Sequence, residues 1–168
     1  MGDRTGQMPQ DGLLEELESL YRMHFPRFVG VAGAIVGDRE LGREAVQEAF
    51  ASLVRNRASF RREGALEAWA WRAVVNAARQ ARRRALRELR PRAAADAATG
   101  AAPAADDELA ALVAALPERQ RLVLFLRFYA DLDYRSIAEA AGVEVGTVSA
   151  TLHAALRSLR IALEEAVS

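Results

Sequence analysis

The stretch "YRSIAEAAGVEVGTVSATLHAALRSLR" (Tyr134–Arg160) decides how the chain reads. It predicts two helices, Tyr134–Ala141 and Thr147–Arg160, joined by a tight turn. Ala138 is small where the two helices must cross, and Gly142 falls where the turn needs a positive φ. Val148, six residues further on, plugs the crossing from the second helix. Asp133 stands in front as N-cap. This is the spacing of a helix-turn-helix, whose second helix lies in a DNA groove. Yet from Val143 to Leu156 there is no Arg or Lys, only Glu144 and His153.

Working towards the N-terminus, Leu122, Phe125, Leu126 and Tyr129 mark a helix that Pro117 introduces, since a first-turn proline lacks only an N–H that would be unpaired there. Leu109, Leu112, Val113 and Leu116 mark the helix before it. In the last helix Val148, Leu152, Ala155, Leu159 and Leu163 are expected inward, at helical spacing. The stretch "PRAAADAATGAAPAADD" (Pro91–Asp107) loses the apolar stripe and reads as a flexible linker. Before it the 3.6-residue period returns. Leu13, Leu17, Leu20 and Tyr21 form one stripe, and Phe25, Phe28, Val29, Ala32 and Ile35 another. Val46, Ala49, Phe50 and Leu53 share a face of a helix near Arg39–Asn56. A further helix runs from about Ala65 through Trp69, Ala73 and Ala77 into "RQARRRALRELR". Gly37-Asp38 and Arg62-Glu63-Gly64 are the breaks. Strand patterns are nearly missing. The expectation is an all-α chain of two small helical domains: a disordered tail 1–12, a domain 13–90, a linker 91–107 and a helix-turn-helix domain 108–168.

The bulk numbers narrow the function. The 168 residues carry 23 basic and 23 acidic side chains, and every basic one is Arg. Residues 55–92 hold twelve Arg against three acids, whereas the segments 1–54 and 106–168 are both net acidic. One concentrated basic segment in a neutral chain points to a local polyanion contact, or else to a solvated helix face. Cysteine is absent, which excludes disulfides and thiolate metal sites and suits a reducing cytoplasm. No apolar run nears the roughly 20 residues that a membrane span requires. The two histidines, His24 and His153, lie in different modules without a base or ligand partner, and no phosphate-binding glycine loop occurs. These features argue against an enzyme, a metal, a cofactor, a small-molecule substrate or membrane insertion.

Longer stretches carry a resemblance. "LPERQRLVLFLRFYADLDYRSIAEAAGVEVGTVSATLHAALRSLR" resembles region 4 of a bacterial sigma-70 family factor of the extracytoplasmic-function (ECF) type, through Leu116-Pro117, Tyr134-Arg135-Ser136-Ile137-Ala138 and Val145-Gly146-Thr147-Val148. "GDRELGREAVQEAF" is similar to the family's polymerase-docking helix in region 2, with Val46-Gln47-Glu48-Ala49-Phe50 on its motif. "AWAWRAVVNAARQARRR" is similar to the segment that binds and opens the −10 element, with Ala68-Trp69, Arg72 and Asn76 on matching positions. The resemblance covers nearly the whole chain.

It implies a cytoplasmic initiation factor whose partners are core RNA polymerase, promoter DNA and an anti-sigma factor. On the −10 side it implies contacts from Arg72, Asn76, Arg79 and Arg83, and from Arg61 and Arg62 in a loop that captures a flipped base; the residues leave open which of the two does so. Trp69 and Trp71, two apart, cannot share a helix face. Trp69 is in phase with Ala73 and Ala77 and reads as core, which leaves Trp71 to stack on an unpaired base. For polymerase, Glu44, Gln47 and Glu48 present polar contacts beside Val46 and Phe50; Arg43 departs from the family, which often has an acid there. On the −35 side the resemblance implies Arg135, Thr147, Ser149, Ala150, Thr151, His153 and Arg157. Family members usually carry bases in the segment that here reads "SATLHAAL", so readout by shape, methyl and hydroxyl groups is expected, with the Arg-rich module supplying more of the affinity. The competing readings are a stand-alone helix-turn-helix regulator and an adaptor that binds polymerase without directing initiation.

Overall fold

The computed structural model describes residues 8–61, 65–89 and 105–167. Helices α1 (Met8–Val36), α2 (Arg39–Arg55) and α3 (Leu66–Leu89) pack together as one group. Helices α4 (Ala105–Ala115), α5 (Glu118–Leu124), α6 (Tyr134–Ala141) and α7 (Val145–Val167) form the second. Among the described residues there is no strand.

The two stripes of the first segment belong to one helix, because α1 runs unbroken through Pro26. A proline removes its own N–H and crowds the carbonyl four residues back, which usually kinks a helix. Here Pro26 is exposed, so water can satisfy that carbonyl. Leu13 and Leu17 before it, and Phe28, Val29, Val31, Ala32 and Ile35 after it, are buried, which anchors the helix on both sides. The helix also begins at Met8, so residues 8–12 of the expected tail are helical. Gly37, at φ 87°, ends α1, and its N–H donates to the Gly33 carbonyl at 2.7 Å. Asp38 then caps α2, its Oδ1 accepting from the Leu41 N–H at 2.9 Å. The two helices cross tightly at Gly33 and Gly42: a Cβ on Gly42 would collide with the Gly33 backbone.

Aromatic rings fill the core of this group. Phe28 packs on Trp71 at 4.3 Å and on Phe50 at 5.2 Å between ring centroids, and Phe50 meets Tyr21 at 4.9 Å. Offset and edge contacts of this kind add to the area that the rings bury.

In the second group Pro117 precedes α5 as its cap residue, one position earlier than the first-turn placement expected. Arg121 donates to the carbonyls of Ala114 and Leu116, at 2.7 and 3.2 Å, and so satisfies the end of α4. Helix α5 widens into a π turn over Phe125–Tyr129, where the Ala130 N–H reaches back to the Phe125 carbonyl. Leu122, Leu126, Ile137, Val148, Leu152 and Ala155 are buried. Leu163, expected inward, is 42% exposed, and Tyr129 is 46% exposed. Of the expected linker, residues 105–107 already belong to α4, and residues 91–104 lie outside the described residues.

The two groups are in contact. Helix α6 packs on α3, and buried residues of both groups join in one continuous apolar cluster.

Candidate nucleic-acid and polymerase surfaces

A groove of about 420 Å3 runs between the C-terminal end of α2, the 3-10 turn Arg57–Ser59 and α3. Trp69, Arg72, Asn76 and Gln80 line it from α3, at spacings of three and four that place them on one face. Ser52, Asn56 and Ser59 face them from the other wall. The Asn56 amide donates to Ser52 Oγ at 3.2 Å, and Ser59 Oγ donates to the Asn56 carbonyl at 2.7 Å, so this wall is held by its own hydrogen bonds. Arg72 and Asn76 are exposed. The groove thus offers a guanidinium, amides and hydroxyls beside an aromatic ring, the groups that hold a phosphate and read a base edge.

The burial of the two tryptophans is the reverse of that expected. Trp71 is 0% exposed, packed on Phe28, with its indole N–H directed to Glu67 Oε1 at 3.4 Å. It cannot stack on DNA. Trp69 is half-buried, lies against Phe60 at 5.0 Å and lines the groove. The inward face of α3 is set by Trp71, Val74, Val75 and Ala78, all fully buried, and Trp69 sits at its margin.

The arginines divide by partner. Arg61 and Arg83 are exposed, and Arg62 lies outside the described residues. Arg84 pairs with Glu48 of α2 at 2.9 Å. Arg79 and Arg82 turn to Glu118 of the second group, at 3.6 and 2.6 Å.

On α2, Glu44, Gln47 and Glu48 are exposed, whereas Val46 and Phe50 are buried and can only support the surface from beneath. Gln47 rims an apolar groove of about 570 Å3 lined by Leu14, Leu17, Tyr21, Phe50 and Val54. Leu14 and Tyr21 were not foreseen as surface groups. The signal was the second apolar position beside Leu13, which a single buried stripe does not need.

The helix-turn-helix forms as its residues require. Asp133 Oδ1 accepts from the Ser136 N–H at 2.7 Å, and Gly142 adopts φ 69°. The Gly142 N–H donates to the Glu139 carbonyl and the Val143 N–H to that of Ala138, the paired bonds of a Schellman ending. Along α7, Ala150, His153 and Arg157 are exposed and Thr147, Ser149 and Thr151 half-buried; Arg135 is exposed at the start of α6. His153 Nδ1 lies 2.8 Å from the Ser149 carbonyl, which can only accept, so the neutral ring keeps its acceptor at Nε2.

The cap bond from the Ser136 backbone N–H, helped by the Ser136 hydroxyl, holds the Asp133 carboxyl below the ordinary carboxylate range. A depressed folded-state pKa means that this stabilisation is complete at neutral pH and is lost as pH falls through the lowered value. Asp133→Ala is expected to cost about 1 kcal/mol at pH 7 in a denaturant titration. Asp133→Asn keeps the cap and should remove this residue's share of the acid sensitivity.

Among the described residues no group of three or more His, Asp or Glu side chains is placed to hold a metal ion, and no helix is long and apolar enough to cross a membrane.

Residues 20–88 match the family model for Sigma-70 region 2, and residues 106–159 match that for Sigma-70, region 4. Together they span well over half of the chain, which belongs to the sigma-70 family. It carries regions 2 and 4, the two-region organisation of the ECF type. No protein of curated function matches it in sequence. The fold is similar to that of the sigma factor RpoE, solved in complex with the anti-sigma factor NepR from Bartonella quintana: 17% identity, TM-score 0.72, over 89% of this chain and 98% of that one. It is also similar to CnrH, solved in complex with the cytosolic domain of CnrY: 19% identity, TM-score 0.69, over 93% and 92%. A more distant likeness is to the anti-anti-sigma factor PhyR complexed with NepR, at 14% identity and TM-score 0.53, over 85% of this chain and 49% of that one.

Proposed function

We propose that this chain seats on core RNA polymerase and directs promoter recognition, opening of the −10 element and the start of transcription. The observation that carries the reading is the groove between α2 and α3, where Trp69, Arg72 and Asn76 meet beside an arginine-rich helix inside the region 2 match. Arg72, Arg79 and Arg83 hold backbone phosphates, Asn76 reads a base edge, and Trp69 offers its ring to an unpaired base. Arg61 contributes from the loop before α3. Glu44, Gln47 and Glu48 meet polymerase, with the apolar groove along Leu14 and Tyr21 beside them. The test is to mix the chain with sigma-free core enzyme on a random-sequence promoter library. Transcripts that start at a shared upstream sequence are expected; association with core but no selective transcript would make the chain an adaptor, and DNA binding with no association a stand-alone regulator.

At the −35 end, the absence of Arg and Lys between Val143 and Leu156 supports a weak grip by Thr147, Ser149, Ala150, Thr151 and His153, with Arg135 and Arg157 on phosphates. Polymerase supplies the effective concentration that lets such a grip suffice. Scrambling the −35 sequence of a selected promoter should lower initiation roughly tenfold, less than the loss of a pair of bidentate arginine–guanine contacts would cause. Unchanged initiation would remove direct −35 reading from the proposal.

RpoE and CnrH were each solved with a bound protein, an anti-sigma factor in the case of RpoE. A holding partner of that kind, acting in the cytoplasm, is part of the reading.

A further inference from the structure

We infer that the cleft beside the end of α1 binds a single-chain fatty acid, with the acyl tail on its apolar walls and the carboxylate among the arginines that line it. The cleft holds about 750 Å3, more than either groove described above. Small-molecule sites commonly measure about 300–1,000 Å3 and recur where separate structural units meet. One wall is residues 29–39, the last turns of α1 and the start of α2, and the other is α4 with α5. None of the residues proposed for DNA or polymerase lines it, so the site stands apart from the initiation reading. Val29, Ile35, Leu109, Val113 and Phe125 supply the apolar surface, while Gly33 and Gly37 add only backbone and so leave room. Leu109 stays 50% exposed although it lines this seam, apolar area that an acyl chain would take out of water.

The charged residues of the lining choose the head group. They are Asp38, Arg39, Arg82 and Arg121. Asp38 is engaged in the cap of α2, where its Oδ1 accepts from the Leu41 N–H. Arg82 already faces Glu118 at 2.6 Å. Arg121 gives only Nη1 to the carbonyls of Ala114 and Leu116, which leaves its other two nitrogens as donors. Arg39 is exposed and pairs with no carboxylate among the described residues. Two guanidinium groups therefore stand at an apolar cleft without a counter-charge, the complement of an acyl chain that ends in a carboxylate. Charge-assisted bonds from arginine to a carboxylate are among the stronger hydrogen bonds. A cation would be repelled there, and a neutral chain would leave both arginines unanswered. Because both helical groups supply walls, a bound molecule stabilises the folded chain by mass action.

The test is calorimetric titration of decanoate, below its micelle-forming concentration, into the full-length chain, with decanol, acetate and decyl phosphate as comparison ligands. Decanoate should saturate at one molecule per chain and raise the melting temperature. Decanol should bind roughly tenfold more weakly, and acetate not at all, since the site needs both the tail and the charge. Two substitutions fill the cleft from opposite walls, Ala34→Trp on α1 and Val113→Trp on α4, and each should weaken decanoate roughly tenfold or more. Arg39→Gln should weaken decanoate about three- to tenfold and leave decanol unchanged. Arg160→Gln, exposed on α7 and outside the cleft, is the charge-matched control and should change neither. Circular dichroism of each variant, matching that of the unsubstituted chain, shows that it has folded. Uptake of many molecules without saturation, or binding that both tryptophan substitutions leave intact in folded chains, would overturn the site. Decanol binding as tightly as decanoate, or decyl phosphate binding more tightly, would overturn the fatty-acid assignment.

Discussion

Replacing Trp71 by alanine is expected to unfold region 2, while replacing Trp69 should leave it folded and disable it. Trp71 is completely enclosed and its ring lies 4.3 Å from that of Phe28, which in turn meets Phe50. Removing a buried aromatic of this size costs about 3–5 kcal/mol, a large share of the roughly 5–15 kcal/mol that holds a domain together. Thermal melting followed by circular dichroism should show region 2 lost or strongly shifted. Trp69 is half-buried at the edge of the core, lines the groove and stacks near Phe60. Its truncation should change the melt little but lower promoter opening roughly five- to a hundredfold, the range expected when a base loses its aromatic platform. Trp69→Phe should recover part of that loss. The reverse pattern, a stable and inactive Trp71→Ala chain, would return the stacking role to Trp71.

Gly42→Ala carries the second large expected effect. Its new methyl would run into the backbone of Gly33 where α1 and α2 cross, and backbone cannot step aside as a side-chain tip can. The helices must separate, which loosens the contacts of Val46 and Phe50 with the rest of the core. Overpacking of this kind costs about 1–3 kcal/mol, set against a gain of about 1 kcal/mol in helix propensity on replacing glycine by alanine. A net loss in denaturant titration is therefore expected at Gly42. At Gly146, where nothing stands within 4 Å and φ is not positive, the same substitution should be neutral or stabilising. Equal effects at the two sites would show that the α1–α2 crossing is not tight.

Where large side chains carry the pattern, the helices are legible in the sequence. Asp133, Ala138, Gly142 and Val148 specify the helix-turn-helix by cap, close crossing, left-handed turn and plug; Asp133 caps α6, Gly142 takes the left-handed turn, and Ala138 and Val148 are buried. The tryptophans were misread because Ala73 and Ala77 were used to set the phase of α3. Alanines tolerate either environment, whereas Trp71, Val74 and Val75 are bulky enough to define a face and point the other way. Pro26 does not end α1, because burial on both sides outweighs one missing hydrogen bond on an exposed surface. Leu163 has the right period and yet is 42% exposed, since period reveals a stripe and not what covers it. The packing of α6 on α3 left no periodic trace either. The charge asymmetry, which suggests an external polyanion, is partly answered within the chain by Glu118 of α5.

Of the groups proposed for DNA, Arg72 and Asn76 were legible through the family resemblance, and the groove supplies what the sequence could not: their company with Asn56, Ser59 and Trp69. Asn56 and Ser59 come from the end of α2 and the turn after it, at separations no local motif spans, whereas Trp69 precedes Arg72 by three residues on the same helix. The surface proposed for polymerase divides in the same way, with Glu44, Gln47 and Glu48 readable as an exposed face and Leu14 and Tyr21 visible only once α1 is laid beside α2.

The most direct measurement is permanganate reactivity of unpaired thymines around the −10 element, in complexes of core polymerase, this chain and a promoter selected with it. Reactive thymines should appear with the unsubstituted chain, fade with Trp69→Ala, and fade also with an Arg72→Ala/Asn76→Ala pair, while core binding is retained in all three. Strand opening that is indifferent to those substitutions, or absent with the intact chain seated on core, would contradict the account.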